Sequence, residues 1–279
     1  MNFVEKNDSI LQKWKEHNEK VEKTMNQQKP NFASDGIMFR GEIDQYLADE
    51  NERWSNPKKE NELWENAPIR YLFLTKDQNA GDDDEAKAWD VRGETGRSNK
   101  DSSNIRYLFY RNLMYILYGI IHSEDTLCDY EDFTNEQAIQ TYDSAPLARI
   151  NVKKQAGGSS IGNNTLKTYI ERDKEFLIEQ ITALDADVLI CCGYSESIED
   201  TGNIILNFLS KEIYNFTKID EWIYYDDKTK KVAINAWHLS YNRGVSQKDF
   251  FEGLVTAYHK FIIEHQDFCK IINFFVQEI

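Results

Sequence analysis

A chain of 279 residues with 41% hydrophobic side chains can bury one large core, and no Gly/Ser/Pro-rich linker divides it. Its 48 Asp and Glu against 33 Lys and Arg leave a net charge of -15, which weakens general attraction to phosphate backbones and confines any nucleic-acid contact to a local basic patch. No apolar run approaches the ~20 residues of a membrane span, and Met1-Asn2-Phe3-Val4-Glu5-Lys6 runs into charged sequence rather than a signal peptide, so a soluble cytoplasmic protein is expected.

Taken in order, residues 9–28 carry Ile10, Leu11, Trp14, Val21 and Met25 among Lys and Glu, the spacing of an amphipathic helix that Pro30 stops. Residues 41–64 read as a short helix at 43–47 followed by a polar loop, with Trp54 and Trp64 anchoring it to the core. Tyr71-Leu72-Phe73-Leu74-Thr75 is an apolar run that breaks into Lys76-Asp77-Gln78-Asn79. It reads as a buried parallel strand delivering polar side chains at its carboxyl end, where open α/β sheets hold ligands. A long polar loop over 79–104 holds Trp89, Arg92, Gly93 and Arg97, and loops of that length are more often functional than idle.

Helices follow at 105–121 and 135–140, then a second strand at 147–151, a crossover helix at 165–184, a third strand at 188–192 and a helix at 203–214. Residues 221–225, the turn Asp226-Asp227-Lys228 and a fourth main strand ending at Trp237 lead into a last helix at 250–265. This alternation predicts a three-layer α/β/α sandwich on a central, mostly parallel four-stranded sheet over residues 69–279. A helical N-terminal extension, residues 1–68, packs on that core and offers a surface for oligomerisation. Cys128, Cys191, Cys192 and Cys269 show no CxxC spacing and read as reduced core thiols; no metal or cofactor is expected.

Four strands with polar tips imply one shared crevice. Asp77 can polarise a water or stabilise a developing cation, although alone it is as well explained as a helix cap. Asn151 offers one acceptor and two donors, which suits the edge of a nucleobase or, equally, a turn. The stretch Lys153-Lys154-Gln155-Ala156-Gly157-Gly158-Ser159-Ser160 lies between Pro146 and Ile170, where four basic residues meet no acid. Its glycines allow backbone to approach an anion, and without Walker spacing it reads as a phosphate-tracking loop. Residues 237–248 are again free of acid: His238 can donate to a base carbonyl, or be an ordinary loop histidine, while Ser240 and Arg243 can hold a phosphate. His17, His122, His259 and His265 fall on helices and read as ordinary packing residues.

In order and spacing, these motifs resemble the uracil-DNA glycosylase superfamily over about residues 69–261. Lys76-Asp77-Gln78-Asn79 is similar to the Asp-containing turn that reads Gly-Gln-Asp-Pro-Tyr in the best-known branch. His238-Leu239-Ser240 is similar to a late His-Pro-Ser loop. The segment from Arg149-Ile150-Asn151-Val152-Lys153-Lys154 to Val188-Leu189-Ile190-Cys191-Cys192-Gly193 looks most like the iron–sulfur branch, without its cysteine spacing. The resemblance implies that Asp77 positions the hydrolytic water or stabilises the oxocarbenium-like sugar, that Asn151 reads a base flipped out of DNA with Gln78 and Asn79 beside it, and that His238 assists base departure. Ser240, Lys153, Gly157 and Gly158 would grip phosphates, with Lys154, Ser159 and Arg243 adding to the groove.

This chain departs from the family at Gln78 and Leu239, which replace prolines, and at Asn79, which replaces a tyrosine that excludes 5-substituted pyrimidines. The smaller Asn79 suggests a bulkier base, such as the 5-modified pyrimidines of some phage genomes, and a role in phage defence. Two other readings stand beside it: a base-binding module that keeps the fold without hydrolysis, and a metal-dependent phosphohydrolase using Asp77 with Asp82, Asp83 and Asp84.

Overall fold

The computed structural model describes residues 1–24, 32–44, 52–79, 89–98, 103–123, 126–157, 161–194, 202–240, 244–266 and 268. The chain opens with helix α1 (Phe3–Thr24), then the two-residue strands β1 (Ala33–Ser34), β2 (Gly36–Ile37), β3 (Ile43–Asp44) and β4 (Glu52–Arg53), and helix α2 (Pro57–Glu65). Strand β5 (Tyr71–Thr75), strand β6 (Trp89–Asp90), helices α3 (Leu108–His122) and α4 (Asn135–Ser144), and strand β7 (Leu147–Asn151) follow. Helix α5 (Asn163–Leu184) leads to β8 (Val188–Tyr194), then α6 (Ile204–Glu212), β9 (Thr217–Lys218), β10 (Ile223–Asp226), β11 (Lys231–Trp237) and α7 (Gln247–Glu264).

The main sheet has seven strands in the order β2-β7-β5-β8-β11-β10-β9, not the four expected. The four long apolar runs are its parallel centre, β7-β5-β8-β11; β2 on one edge and β10 with β9 on the other are antiparallel. Alternation along each central strand sorts side chains to two cores, because successive residues of a strand face opposite ways. Tyr71, Phe73, Val188, Ile190, Val232 and Ile234 pack with α3, α4 and α7 through side chains such as Met114, Ile139 and Phe251. Leu72, Leu74, Leu189, Cys191 and Ala233 pack on the other face with Trp14 of α1, Trp64 of α2, Leu177 of α5 and Ile205 of α6.

The described part of residues 1–68 is woven into this core. Strand β2 extends the sheet beside β7, and the fully buried Trp64 donates its indole N–H to the Leu184 carbonyl, 3.0 Å away. Three expectations for this segment are corrected. Ile43 and Asp44 form a strand paired with β4, the rest of the helix expected at 43–47 lying outside the described residues. Trp54 is 55% exposed, and among the described residues its backbone, not its ring, ties it to Gly41 and Glu42. The polar loop expected before Trp64 is instead α2, capped by Asn56 with Pro57 in its first turn. Cys128, Cys191 and Cys192 are buried and free; Cys269 lies outside the described residues. No described helix is long and apolar enough to cross a membrane.

Candidate functional site at the carboxyl ends of the central strands

From β5 the chain goes to β7 on one side and then crosses to β8 on the other. Such a reversal opens a crevice outside the carboxyl ends of the strands. Asp77 follows β5, Asn151 ends β7 and His238 follows β11, so all three lie at that end of the sheet. Strands β5 and β7 are neighbours, whereas β11 stands two strand spacings from β5, about 10 Å at the backbone.

The β5–β7 pairing continues past both strands. The N–H groups of Val152, Lys153 and Gly157 donate to the carbonyls of Thr75, Lys76 and Gln78 at 2.9, 2.9 and 2.8 Å. That ladder sets Asp77 opposite Lys153, whose Nζ donates to Oδ2 at 3.0 Å, the two side chains being 11% and 7% exposed. Burial raises the Asp77 carboxyl above its ordinary range, and Lys153 opposes the rise. Gly157 closes over the pair: a Cβ there would lie 2.9 Å from Asp77 Oδ2 and 3.0 Å from Lys153 Nζ, so a side chain at this position would push the ends of the pair aside.

Asn151 is fully buried beside Thr75, its register partner in β5. The Thr75 hydroxyl donates to Asn151 Oδ1 at 2.6 Å, which fixes the amide and turns Nδ2 away, and Nδ2 has no partner among the described residues. An amide donor buried without an acceptor costs on the order of 1–3 kcal/mol, a cost a ligand carbonyl would relieve.

His238 sits at the rim with its ring centroid 6.3 Å from that of Phe109 on α3. The Ser240 backbone N–H donates to Nδ1 at 3.2 Å, which leaves the proton of the neutral ring on Nε2. Burial, with the charges of Lys76 and Arg149, lowers its pKa to about 4, so at neutral pH the imidazole is an uncharged donor. Leu239 is fully buried, and Asn112 Nδ2 donates to its carbonyl at 2.7 Å.

Three of the expected site roles are corrected. Lys154 is fully buried, and its Nζ donates to Asp35 Oδ1 at 2.6 Å beneath α1, so it cannot meet a phosphate. The Lys153 ammonium is committed to Asp77 and to the Gln155 carbonyl. Gln78 is spent on a buried network: Oε1 accepts from Arg149 at 2.7 Å and Nε2 donates to Glu94 at 3.0 Å. Asn79 is exposed and bridges Gly157 through its backbone, and Ser240 is exposed beside His238. Gly158, Ser159 and Arg243 lie outside the described residues, as do Asp82, Asp83 and Asp84. Among the described residues, no three His, Cys, Asp or Glu side chains gather where a metal ion would sit.

Sequence reasoning missed Glu94, Tyr110 and Phe109. Glu94 Oε2 accepts from Arg149 at 2.7 Å and from the Tyr110 hydroxyl, and the Arg149 guanidinium lies 4.7 Å over the Phe109 ring. The only signal for them was an arginine inside an apolar strand, Leu147-Ala148-Arg149-Ile150, which demands a buried carboxylate somewhere. No protein-family model, curated protein or solved structure matches the chain.

Proposed function

We propose that this chain is a DNA glycosylase-like hydrolase, with the layering of the uracil-DNA glycosylase superfamily, that cleaves the N-glycosidic bond of a pyrimidine flipped from DNA. Pyrimidines carrying a 5-substituent are included, and phage defence is the setting that such bases suggest. The observation that carries the reading is the buried Nδ2 of Asn151, partnerless among the described residues, one strand away from the Asp77 carboxylate. One group lacks an acceptor of the kind a pyrimidine carbonyl supplies, and the other is a carboxylate whose elevated pKa suits water activation.

In this mechanism Asn151 Nδ2 donates to the base carbonyl, and the bond from the sugar anomeric carbon to the base nitrogen breaks with its electrons leaving on the base. Nε2–H of the neutral His238 donates to the base carbonyl that gathers this charge. Asp77 stabilises the cationic sugar and orients the water, whose hydroxyl bonds to the anomeric carbon and whose proton ends on the departing base. Lys153 opposes the rise that burial imposes on the Asp77 carboxyl.

Oligonucleotides bearing uracil or 5-modified pyrimidines, single- and double-stranded, test the reading. Free base is released, and Asp77→Asn lowers the rate by about 10²–10⁴-fold. No release from any of them overturns it. The hold of Lys153 on Asp77 favours a second reading, a base-binding module without hydrolysis, which tight binding with no release selects.

A further inference from the structure

Helix α5 reaches the site through one ring. The Lys153 ammonium carries three N–H donors, and oxygen takes two of them: Asp77 Oδ2 at 3.0 Å and the Gln155 carbonyl. Nζ also lies over the ring of Tyr169 on α5, 5.1 Å from its centroid, and the π-face offers the third an acceptor. The lysine side chain is 7% exposed, and a cation held on a ring is worth more where water is kept from it. The next residue repeats the pattern. Lys154 Nζ meets the Asp35 carboxylate and the Asn151 carbonyl, the latter at 3.0 Å, and lies 4.6 Å over the Trp14 ring. Carboxylate, carbonyl and ring thus form a three-sided cage twice over, once sealed in the interior and once at the carboxyl end of the sheet. The ring of the second cage is fixed in its turn. Leu166 and Ile170, buried on either side of Tyr169 in sequence, seat the helix, and the Arg172 guanidinium, bidentate on the fully buried Asp173 at 2.7 and 2.6 Å, lies 4.6 Å over the ring.

We infer that Tyr169 is a positioning residue of this site: its ring completes the cage that fixes the Lys153 ammonium against Asp77. The inference deepens the reading under Proposed function and takes the role of Asp77 from it. Tyr169 acts through Lys153. Without the ring the ammonium keeps two partners instead of three, spends more of its time away from the carboxylate and favours the ionised form less. Burial, which pushes the Asp77 carboxyl upward, then meets less opposition. Lys76, the other cation acting on Asp77, is unaltered by the change.

The test is the titration of the Asp77 carboxyl in the full chain, followed by carbon-13 NMR with the signal assigned by Asp77→Asn, beside the pH profile of base release. Tyr169→Leu, a good helix former that keeps apolar bulk without a π-face, is expected to move the Asp77 titration upward by about half a pH unit, and the acid limb of base release moves with it. Tyr169→Phe, which keeps the π-face, retains the wild-type titration. In a Lys153→Met background Tyr169→Leu moves Asp77 no further, since the ring has lost the group it acts through. An Asp77 titration that Tyr169→Leu leaves in place, or shifts equally with and without Lys153, overturns the inference whatever the chain releases. The expected shift in a chain that releases no base leaves the cage standing and overturns the hydrolytic reading.

Discussion

Lys153 and Lys154 are neighbours in the chain, and each ends on a carboxylate, yet the two pairs occupy different surroundings. Lys154 and Asp35 have no exposed side-chain surface, and Asp35 also accepts from Gln180 Nε2 at 2.9 Å and from the Asn151 backbone N–H at 2.8 Å. Its oxygens are saturated, and the pair stitches the link between β1 and β2, the end of β7 and α5 together under α1. Asp77, among the described residues, takes a bond from Lys153 alone and keeps a small exposed surface at the end of the sheet. One carboxylate is finished by the fold and the other is left with bonding capacity, which is the difference between a structural ion pair and a reactive one.

Substitution has its largest effect at the dry pair. Asp35→Ala leaves an ammonium buried with no counter-charge and removes the acceptor for Gln180 and Asn151, and Lys154→Met leaves the carboxylate stranded. Each is expected to destabilise the fold by about 3–5 kcal/mol, read by denaturant unfolding. Loss of less than 1 kcal/mol in either would mean that the pair holds nothing together and that burial alone does not separate the two lysines.

Lys153→Met has a smaller effect on stability, about 1–2 kcal/mol, since Asp77 can protonate or reach water. Its signature is in the pH profile. Lys153 favours the ionised carboxyl, so without it Asp77 stays protonated to higher pH, and the acid limb of base release moves upward. In the wild type His238 adds no limb at the ordinary histidine value, because it is neutral above about 4. An acid limb that Lys153→Met leaves in place would detach Asp77 from the chemistry.

The same two lysines show what the sequence could and could not reveal. Both stood in a basic, acid-free stretch that reads as a phosphate loop, but the partner of Lys154 is 119 residues away and invisible to local pattern. The central strands were legible because an apolar run ending abruptly in polar residues fits little besides a buried strand, and their tips do lie at one end of the sheet. The edge strands were not, since two residues carry no periodicity, and β2 in particular is set by its pairing with Arg149 and Ala148. Helix α2 did announce itself in Asn56-Pro57, a cap followed by a proline in the first turn, yet its Lys-Lys-Glu-Asn-Glu composition hid the single stripe of Glu60 and Trp64 that it buries. Trp54 and Trp64 are the same residue type ten positions apart; a helix turns one inward and a loop leaves the other out.

Gln155 is where the smallest effect is expected. It lies one residue beyond Lys154, its carbonyl accepts from Lys153, and both ends of its buried side-chain amide lack a partner among the described residues. Where Asp35 shows bonding saturated by the fold, Gln155 shows a polar group desolvated with no return, at about 1–3 kcal/mol for a buried donor or acceptor left unpaired. Gln155→Met has nearly the same length and no amide to satisfy. It is expected to stabilise the protein by about 1 kcal/mol, a rise of about 2–4 °C in Tm by calorimetry. A fall in Tm would show that the amide is bonded in the folded chain, and that the stretch from Lys153 to Gly157 is as finished as the pair beneath α1.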